Sequence, residues 1–357
     1  MFRFFRTLRQ RLITENKFSK YLLYAIGEIL LVVIGILIAL QVDNWNEERK
    51  KQREITQLLL DIEQDLLLNY ELADQALDFY KMQDSVVKRI ARNSLTAADY
   101  ENNSSLDYLV SNWEYYLPAE KNINQFVESE KLVPAEYKPI VDGLKKLQNS
   151  SSVLDDAWSN LDANIDENTK FLTSFNWFVK NDSLSTAKRM AFFLHEEAYQ
   201  TTVFRYWVQT QNYYDKITRY RAQAIATLAI LKQLKDNYSA DEIQRLFQKI
   251  GMTAFEEYPC EVARSELKPL KALRSSELYA NLLQDTVYFK LTNNRGQGVM
   301  EFAVPPNTFT TIPGNEYFGL EGDNTTLARV SDEAGNCIGT YGAFENGFLL
   351  ITEKDTP

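Results

Sequence analysis

Residues 21–42 read YLLYAIGEILLVVIGILIALQV and carry one charged side chain, Glu28. As an α-helix rising about 1.5 Å per residue, this stretch is roughly 33 Å long, enough to cross a hydrocarbon core of roughly 30 Å. A cleavable signal peptide has a shorter apolar part, about 7–15 residues, and a small-x-small cleavage site. This stretch is longer and continues directly into DNWNEER. It predicts one retained transmembrane helix over 21–42 that contacts membrane lipid.

Basic side chains are concentrated before this span, in a leader covering residues 1–20. The leader carries one acid, Glu15, whereas acids and bases are balanced just after the span. Since basic residues stay on the cytoplasmic side of a membrane, we expect a cytoplasmic N-terminus and the bulk of the chain on the opposite side. The basic residues of the leader are Arg3, Arg6, Arg9, Arg11, Lys17 and Lys20.

The leader also has an amphipathic pattern. Met1, Phe5, Leu8 and Leu12 fall on one helical stripe with arginines around it. This arrangement is typical of a short helix that lies in the anionic membrane interface. A flexible basic tail is the alternative interpretation.

Glu28 lies about two turns inside the predicted span, where a carboxylate is costly and by default indicates function. With a rotation of about 100° per residue, Gly35 and Ala39 share its face, and they form a small-xxx-small pair that permits close helix approach. We expect this face to associate with a second copy or with another membrane subunit. Two alternatives are an inert acid near the headgroups and a titrating group in an ion-coupled subunit.

The run ENKFSKYLLYAIGEILLVVIGILIALQVDNWNEERKK (residues 15–51) resembles the N-terminus of an uncharacterised membrane-protein family of the Bacteroidota. The family shares the basic leader, the ENKFSKYLLYAIGEI-like entry and an ALQINNWNE-like exit. The resemblance covers about the first 50 residues closely and implies no biochemical function. It does imply a bacterial inner membrane, and therefore a periplasmic location for the part beyond the span.

Residues 43–283 have the composition of an elongated helical bundle. No proline or glycine occurs over 43–93, and Ile55, Leu59, Ile62 and Leu66 recur at three- and four-residue spacing. This pattern predicts a helix that can continue the transmembrane segment outward. Further helices are expected over 105–117, from about 134 to 180, over 185–237, after the capping box Ser239–Glu242 up to Gly251, and over 265–283.

The helix expected over 185–237 is unusually aromatic. Aromatic residues at helical spacing most often pack in a core. The alternative is a small-molecule pocket between helices of a sensory subunit, which would need a membrane partner to transmit its signal. The residues concerned are Phe192, Phe193, Tyr199, Phe204, Tyr206, Trp207, Tyr213, Tyr214 and Tyr220.

The composition changes near residue 284. Glycines become frequent, and short β-rich runs alternate with turn residues through 284–357. This pattern predicts a small β-sandwich-like domain. The fold class is therefore mainly α with a C-terminal all-β module.

Cys260 and Cys337 are the two cysteines of the chain. In an oxidising periplasm they are candidates for a disulfide that joins the last helices to the β module. Two unrelated buried thiols are the alternative.

Charge and motif content exclude several classes of function. The net charge of −10 disfavours nucleic acid as a partner. With one histidine, His195, and no nucleotide-binding or nucleophile-elbow motif, we expect no metal site, no cofactor and no catalytic activity. Catalysis by a pair of carboxylates is the alternative that stays open, because the sequence does not give the separations among its 49 acids.

These observations predict a non-catalytic scaffold or interaction protein, anchored in the inner membrane and oligomeric or part of a membrane complex. A periplasmic ligand-binding subunit and an ion-coupled subunit are the alternatives.

Overall fold

The structure is a computed structural model that describes residues 18–180, 182–262, 277–292, 298–312, 327–342 and 347–352. The protein is mostly helical, with a long apolar helix near its N-terminus and two β-sheets in its C-terminal part. The chain divides into two units, Met1–Leu58 and Leu59–Pro357.

The first helix, α1, covers Phe18–Ala91, which is 74 residues. Its sequence contains no proline, and every residue can therefore contribute its backbone N–H to the helical hydrogen-bond series. The prediction that the helix after the apolar stretch continues that stretch is confirmed, because both belong to one helix.

The second unit contains further helices, joined by short connections. They are α2 (Ala97–Asn102), a 3₁₀ helix (Ser104–Ser111), α3 (Lys121–Glu128), α4 (Lys138–Thr173), α5 (Ser183–His195), α6 (Glu197–Asp236) and α7 (Ala240–Lys249). Short 3₁₀ helices at Glu130–Leu132 and Ala135–Tyr137 precede α4. The predicted capping box at Ser239 and Glu242 is present at the start of α7. Gly251 follows that helix with a φ of +87°, which favours glycine.

The helices pack around α6, which is buried along most of its length. Gly143 of α4 faces Thr227 of α6 so closely that a Cβ at position 143 would lie 2.8 Å from the Thr227 Oγ1 atom. A hydrogen bond also links α6 to α1: the Trp207 Nε1 atom of α6 donates to the Asp84 carboxylate of α1 at 2.8 Å. The periodic residues of α1 in this unit, Leu59, Ile62, Leu66 and Leu77, are buried as their spacing predicts.

The β region consists of a four-stranded sheet, in the order β1-β9-β3-β6, and a five-stranded sheet, in the order β2-β8-β7-β4-β5. The five-stranded sheet is antiparallel, whereas β9 pairs in parallel with both β1 and β3. The strands are β1 (Thr253–Ala254), β2 (Glu256–Tyr258), β3 (Glu277–Asn281), β4 (Val287–Thr292), β5 (Gly298–Val304), β6 (Thr308–Ile312), β7 (Leu327–Ser331), β8 (Cys337–Gly342) and β9 (Gly347–Ile351).

The four-stranded sheet is covered on both faces. One face contributes Tyr279 and Leu349 to a core shared with Phe289 of the five-stranded sheet. The other face places Leu278 and Phe348 against the helices, in a cluster that includes Phe247 of α7. Alternate residues of β3 and β9 therefore enter two different cores.

Three expectations about elements are wrong. Residues 265–276 of the helix expected over 265–283 lie outside the described residues, and strand β3 occupies its end. The strand was missed because Leu278 and Tyr279 are buried on opposite faces, so its sequence lacks the alternation of a half-exposed strand. Strands β1 and β2 also precede residue 284, where we expected the β domain to begin. The helix expected over 105–117 is a 3₁₀ helix that ends at Ser111.

The helix expected over 185–237 is interrupted. Glu196 has a φ of −87° and a ψ of 122°, an extended conformation that separates α5 from α6. The aromatic residues of this region are buried as expected for core packing, except Phe204, which is 55% exposed.

Candidate functional site

The apolar part of α1 forms a continuous exposed surface. Residues 26–42 are all exposed in the chain, including the aliphatic side chains of Ile29, Leu31 and Leu37. The helix is long and apolar enough to cross a membrane. An uncovered aliphatic surface of this length is unfavourable in water, so lipid or another apolar surface must cover it.

Glu28, Gly35 and Ala39 lie on this exposed surface and share one face of the helix. A Cβ added at Gly35 would meet no atom within 4 Å. The face therefore offers room for the backbone of a second helix to approach at Gly35 and Ala39.

The predicted basic residues of the leader, Arg3 to Lys17, lie outside the described residues. Lys20 belongs to α1, but its side chain is also outside the described part.

In the second unit, an irregular connecting segment (residues 112–120) crosses the bundle between the first 3₁₀ helix and α3. Its backbone is hydrogen-bonded by tyrosine side chains of α6. The Tyr206 hydroxyl donates to the Asn112 carbonyl at 2.7 Å, and the Tyr213 hydroxyl accepts from the Tyr116 N–H at 3.0 Å. These bonds replace those a helix would have made, which is why the helix expected over 105–117 does not continue to its end.

Helix α1 supplies the remaining partners of the connecting segment. The Asn69 side chain donates to the Ala119 carbonyl at 3.0 Å and accepts from the Ala119 N–H at 2.5 Å. The Tyr116 hydroxyl donates to the Asn69 carbonyl at 3.1 Å, and the Tyr80 hydroxyl donates to the Glu114 carbonyl at 2.8 Å. The segment is therefore held on both sides by buried polar side chains.

Four tyrosines of α6 follow a regular spacing, and three of them, Tyr206, Tyr213 and Tyr220, hydrogen-bond residues of the connecting segment. Tyr199, Tyr206, Tyr213 and Tyr220 are seven residues apart, and all are fully buried. Burial raises the pKa of each above its ordinary value of 10. Sequence reasoning identified these residues as core, but the seven-residue repeat of a side chain with a polar end was the signal for an internal hydrogen-bonding role.

A cluster of charges joins α1 to the end of α6. Glu63 contacts both Lys232 and Lys235, and Asp236 pairs with both lysines. Burial lowers the pKa of both lysines, but hydrogen bonds to Glu63 and Asp236 outweigh it and leave each pKa raised. The cluster consists of matched charges and serves to join two helices.

A shallow groove of about 320 Å³ lies on the bundle surface. Glu71, Asp74 and Asp78 line it together with Tyr70 and Ile250. Arg221 is buried nearby and contacts Asp74 at 2.6 Å, which neutralises part of the acidic charge. The groove would favour a cation over an anion.

Cys260 and Cys337 form a disulfide in the structure. Cys260 follows β2, and Cys337 begins β8, the strand with which β2 pairs. The disulfide therefore joins an edge strand of the five-stranded sheet to its neighbour.

His195 is exposed at the last position of α5. Within the part of the chain that the structure describes, no group of three or more histidine, cysteine, aspartate or glutamate side chains is placed to hold a metal ion.

Residues 28–138, about a third of the chain, match a family of unknown function, DUF6090. The match includes residues 28–42 of the apolar stretch, the rest of α1 and the connecting segment. No curated protein and no solved structure matches the chain.

Proposed function

We propose that this protein is a non-catalytic interaction or scaffold protein, anchored by α1 in a bacterial inner membrane and assembled into a complex through that helix. The observation that carries the proposal is the exposed apolar surface of residues 26–42, with Glu28, Gly35 and Ala39 on one face. Lipid covers most of this surface, and a second transmembrane helix covers the face with the small residues.

The orientation follows from charge. Basic residues before the span favour a cytoplasmic N-terminus, and with that orientation the second unit lies in the periplasm. A disulfide between Cys260 and Cys337 agrees with an oxidising compartment. The resemblance of residues 15–51 to a membrane family of the Bacteroidota supports the same location.

Protease treatment tests the anchoring and the orientation together. A protease added to spheroplasts should degrade the second unit and leave a short membrane-bound fragment. Survival of the whole chain, or its release by a carbonate wash, would contradict the proposal.

Substitution on the small-residue face tests the assembly. Gly35→Leu should reduce the oligomeric mass of the detergent-solubilised protein, because leucine blocks close helix approach. Gly27→Leu is the matched control: it lies on the same helix, about 80° around the axis from Gly35, and a Cβ there also meets no atom within 4 Å. Equal masses for both variants and the wild type would refute association through this face.

Glu28→Gln separates the assembly from ion coupling. Glutamine retains hydrogen-bonding capacity but cannot titrate, so a hydrogen-bonded assembly should keep its mass. An ion-coupled subunit would also keep its mass, but it would lose its ion-coupled activity, so the activity and not the mass separates the two readings.

A further inference from the structure

Three aromatic side chains form a cluster on the surface of the second unit, which we call the aromatic platform: Trp113 and Tyr115 of the connecting segment, and Trp158 of α4. Trp113 is 50% exposed, Tyr115 is 38% exposed, and Trp158 is partly exposed. The Trp158 ring centroid lies 5.6 Å from that of Trp113 and 4.7 Å from that of Tyr115. Exposed aromatic rings that contact one another are typical of recognition surfaces.

The platform has a rigid support. The Trp158 ring contacts Tyr213 at 5.4 Å, and Tyr213 is fully buried and packs edge-on against Tyr80. Tyr213 and Tyr80 also hydrogen-bond the connecting segment on either side of Tyr115. The rings are therefore held in place before any partner arrives, which reduces the entropy lost on binding.

The surroundings of the platform are acidic. Glu114 lies between Trp113 and Tyr115 in the chain and is exposed. Asp155 and Asp162 lie three residues before and four residues after Trp158, positions that share its face of the helix. Glu114 and Asp155 are both close enough to Tyr213 to contribute to its raised pKa, after the larger effect of burial.

The acidic character extends along the helix. Between Lys146 and Lys170 the sequence contains no lysine or arginine. Of the acidic residues of that interval, Asp155 and Asp162 share the face of Trp158, whereas Asp156 lies about 160° away around the helix axis. Asp166 and Glu167 follow further along the helix.

Aromatic faces bordered by carboxylates recognise cations. A guanidinium group suits the platform best, because it stacks on aromatic rings and forms hydrogen bonds with carboxylates in the same plane. An anionic membrane surface would be repelled by these carboxylates.

We propose that the aromatic platform is a docking site for an arginine-bearing segment of a partner protein. The site is separate from the face of α1 that contains Glu28 and does not depend on association through that face.

The test is a titration of the full-length protein in detergent with a labelled peptide, acetyl-Arg-Gly-Arg-Gly-Arg-amide, followed by fluorescence anisotropy. A peptide with glutamine in place of arginine should bind at least tenfold more weakly. The lysine peptide should fall between the two, because an ammonium group cannot stack as a guanidinium does.

Variants locate the binding surface. Trp113→Ala and Asp155→Asn should each weaken binding of the arginine peptide about two- to fivefold, the range expected for one exposed cation–π contact or ion pair. Asp156→Asn is the matched control, since it removes the same charge from the adjacent residue on a different side of the helix. It should leave the affinity unchanged.

Three outcomes would overturn the proposal. The first is equal binding of the arginine and glutamine peptides, and the second is equal affinity for the wild type and both platform variants. The third is binding of the full-length protein, held in phosphatidylcholine nanodiscs, to phosphatidylglycerol vesicles that is lost in Trp113→Ala, which would assign the platform to a membrane instead.

Discussion

Asn69 provides a sharp test of how the connecting segment is held. Its side chain is fully buried and makes two hydrogen bonds to the backbone of Ala119. In Asn69→Leu, a side chain of similar size fills the space, but the N–H and the carbonyl of Ala119 lose their partners. Each unsatisfied backbone group costs about 1–3 kcal/mol. Since Ala119 is only partly buried, water can replace part of the lost hydrogen bonding. We therefore expect the free energy of unfolding to fall by about 2–3 kcal/mol.

The measurement is urea unfolding of the detergent-solubilised protein, followed by tryptophan fluorescence, with the midpoint converted through a common slope. Asn160→Leu is the matched control, because Asn160 is exposed on α4 and the same substitution there should change stability by less than about 0.5 kcal/mol. A midpoint for Asn69→Leu equal to that of Asn160→Leu would refute the assignment of these hydrogen bonds.

Two further predictions concern pH and redox state. Burial keeps the pKa of the core tyrosines above 10, so the folded protein retains phenolic protons that the unfolded chain releases near pH 10. The contribution of these tyrosines to the free energy of unfolding should therefore be constant below about pH 10. Above that pH it should fall by about 1.4 kcal/mol per tyrosine per pH unit. Urea midpoints between pH 8 and pH 11 check this. Exposed tyrosines such as Tyr108 and Tyr288 ionise near pH 10 in the folded protein, so the contradicting result is tyrosinate absorbance at pH 11 that accounts for all 20 tyrosines while the protein stays folded. The tyrosines are Tyr80, Tyr116, Tyr206, Tyr213 and Tyr220. The disulfide closes a loop with a sequence separation of 77 residues, so the double substitution Cys260→Ser and Cys337→Ser should destabilise the β region by up to about 4 kcal/mol. Thermal unfolding of the wild type in reductant should match that of the double variant, and an unchanged transition in both would show that the disulfide does not constrain the unfolded chain.

Several elements could be predicted because their signal is local. The absence of proline and the spacing of Leu59, Ile62 and Leu66 predicted the long helix α1, which the structure confirms. Strands β4, β5, β7, β8 and β9 lie within 284–357, where short β-rich runs between turn residues predicted strands.

The missed elements depend on contacts between distant residues. Strand β3 pairs in parallel with β9, which lies about 70 residues later, and both of its faces are buried. Sequence periodicity cannot identify such a strand, because no face is left polar.

Of the two candidate sites, one can be predicted from local sequence and the other depends on residues that are distant in the chain. The grouping of Glu28, Gly35 and Ala39 follows from the helical repeat alone, since all three lie on one continuous helix. The aromatic platform does not follow from any sequence repeat, because Trp113 and Trp158 are 45 positions apart and meet only where the connecting segment crosses α4.

The sequence by itself determined the apolar helix, its charged flank and the mainly helical composition, because these depend on neighbours within a few turns. Only the tertiary structure decided the path of the connecting segment, since its backbone hydrogen bonds come from Asn69, Tyr80, Tyr206 and Tyr213, on two helices distant in the chain.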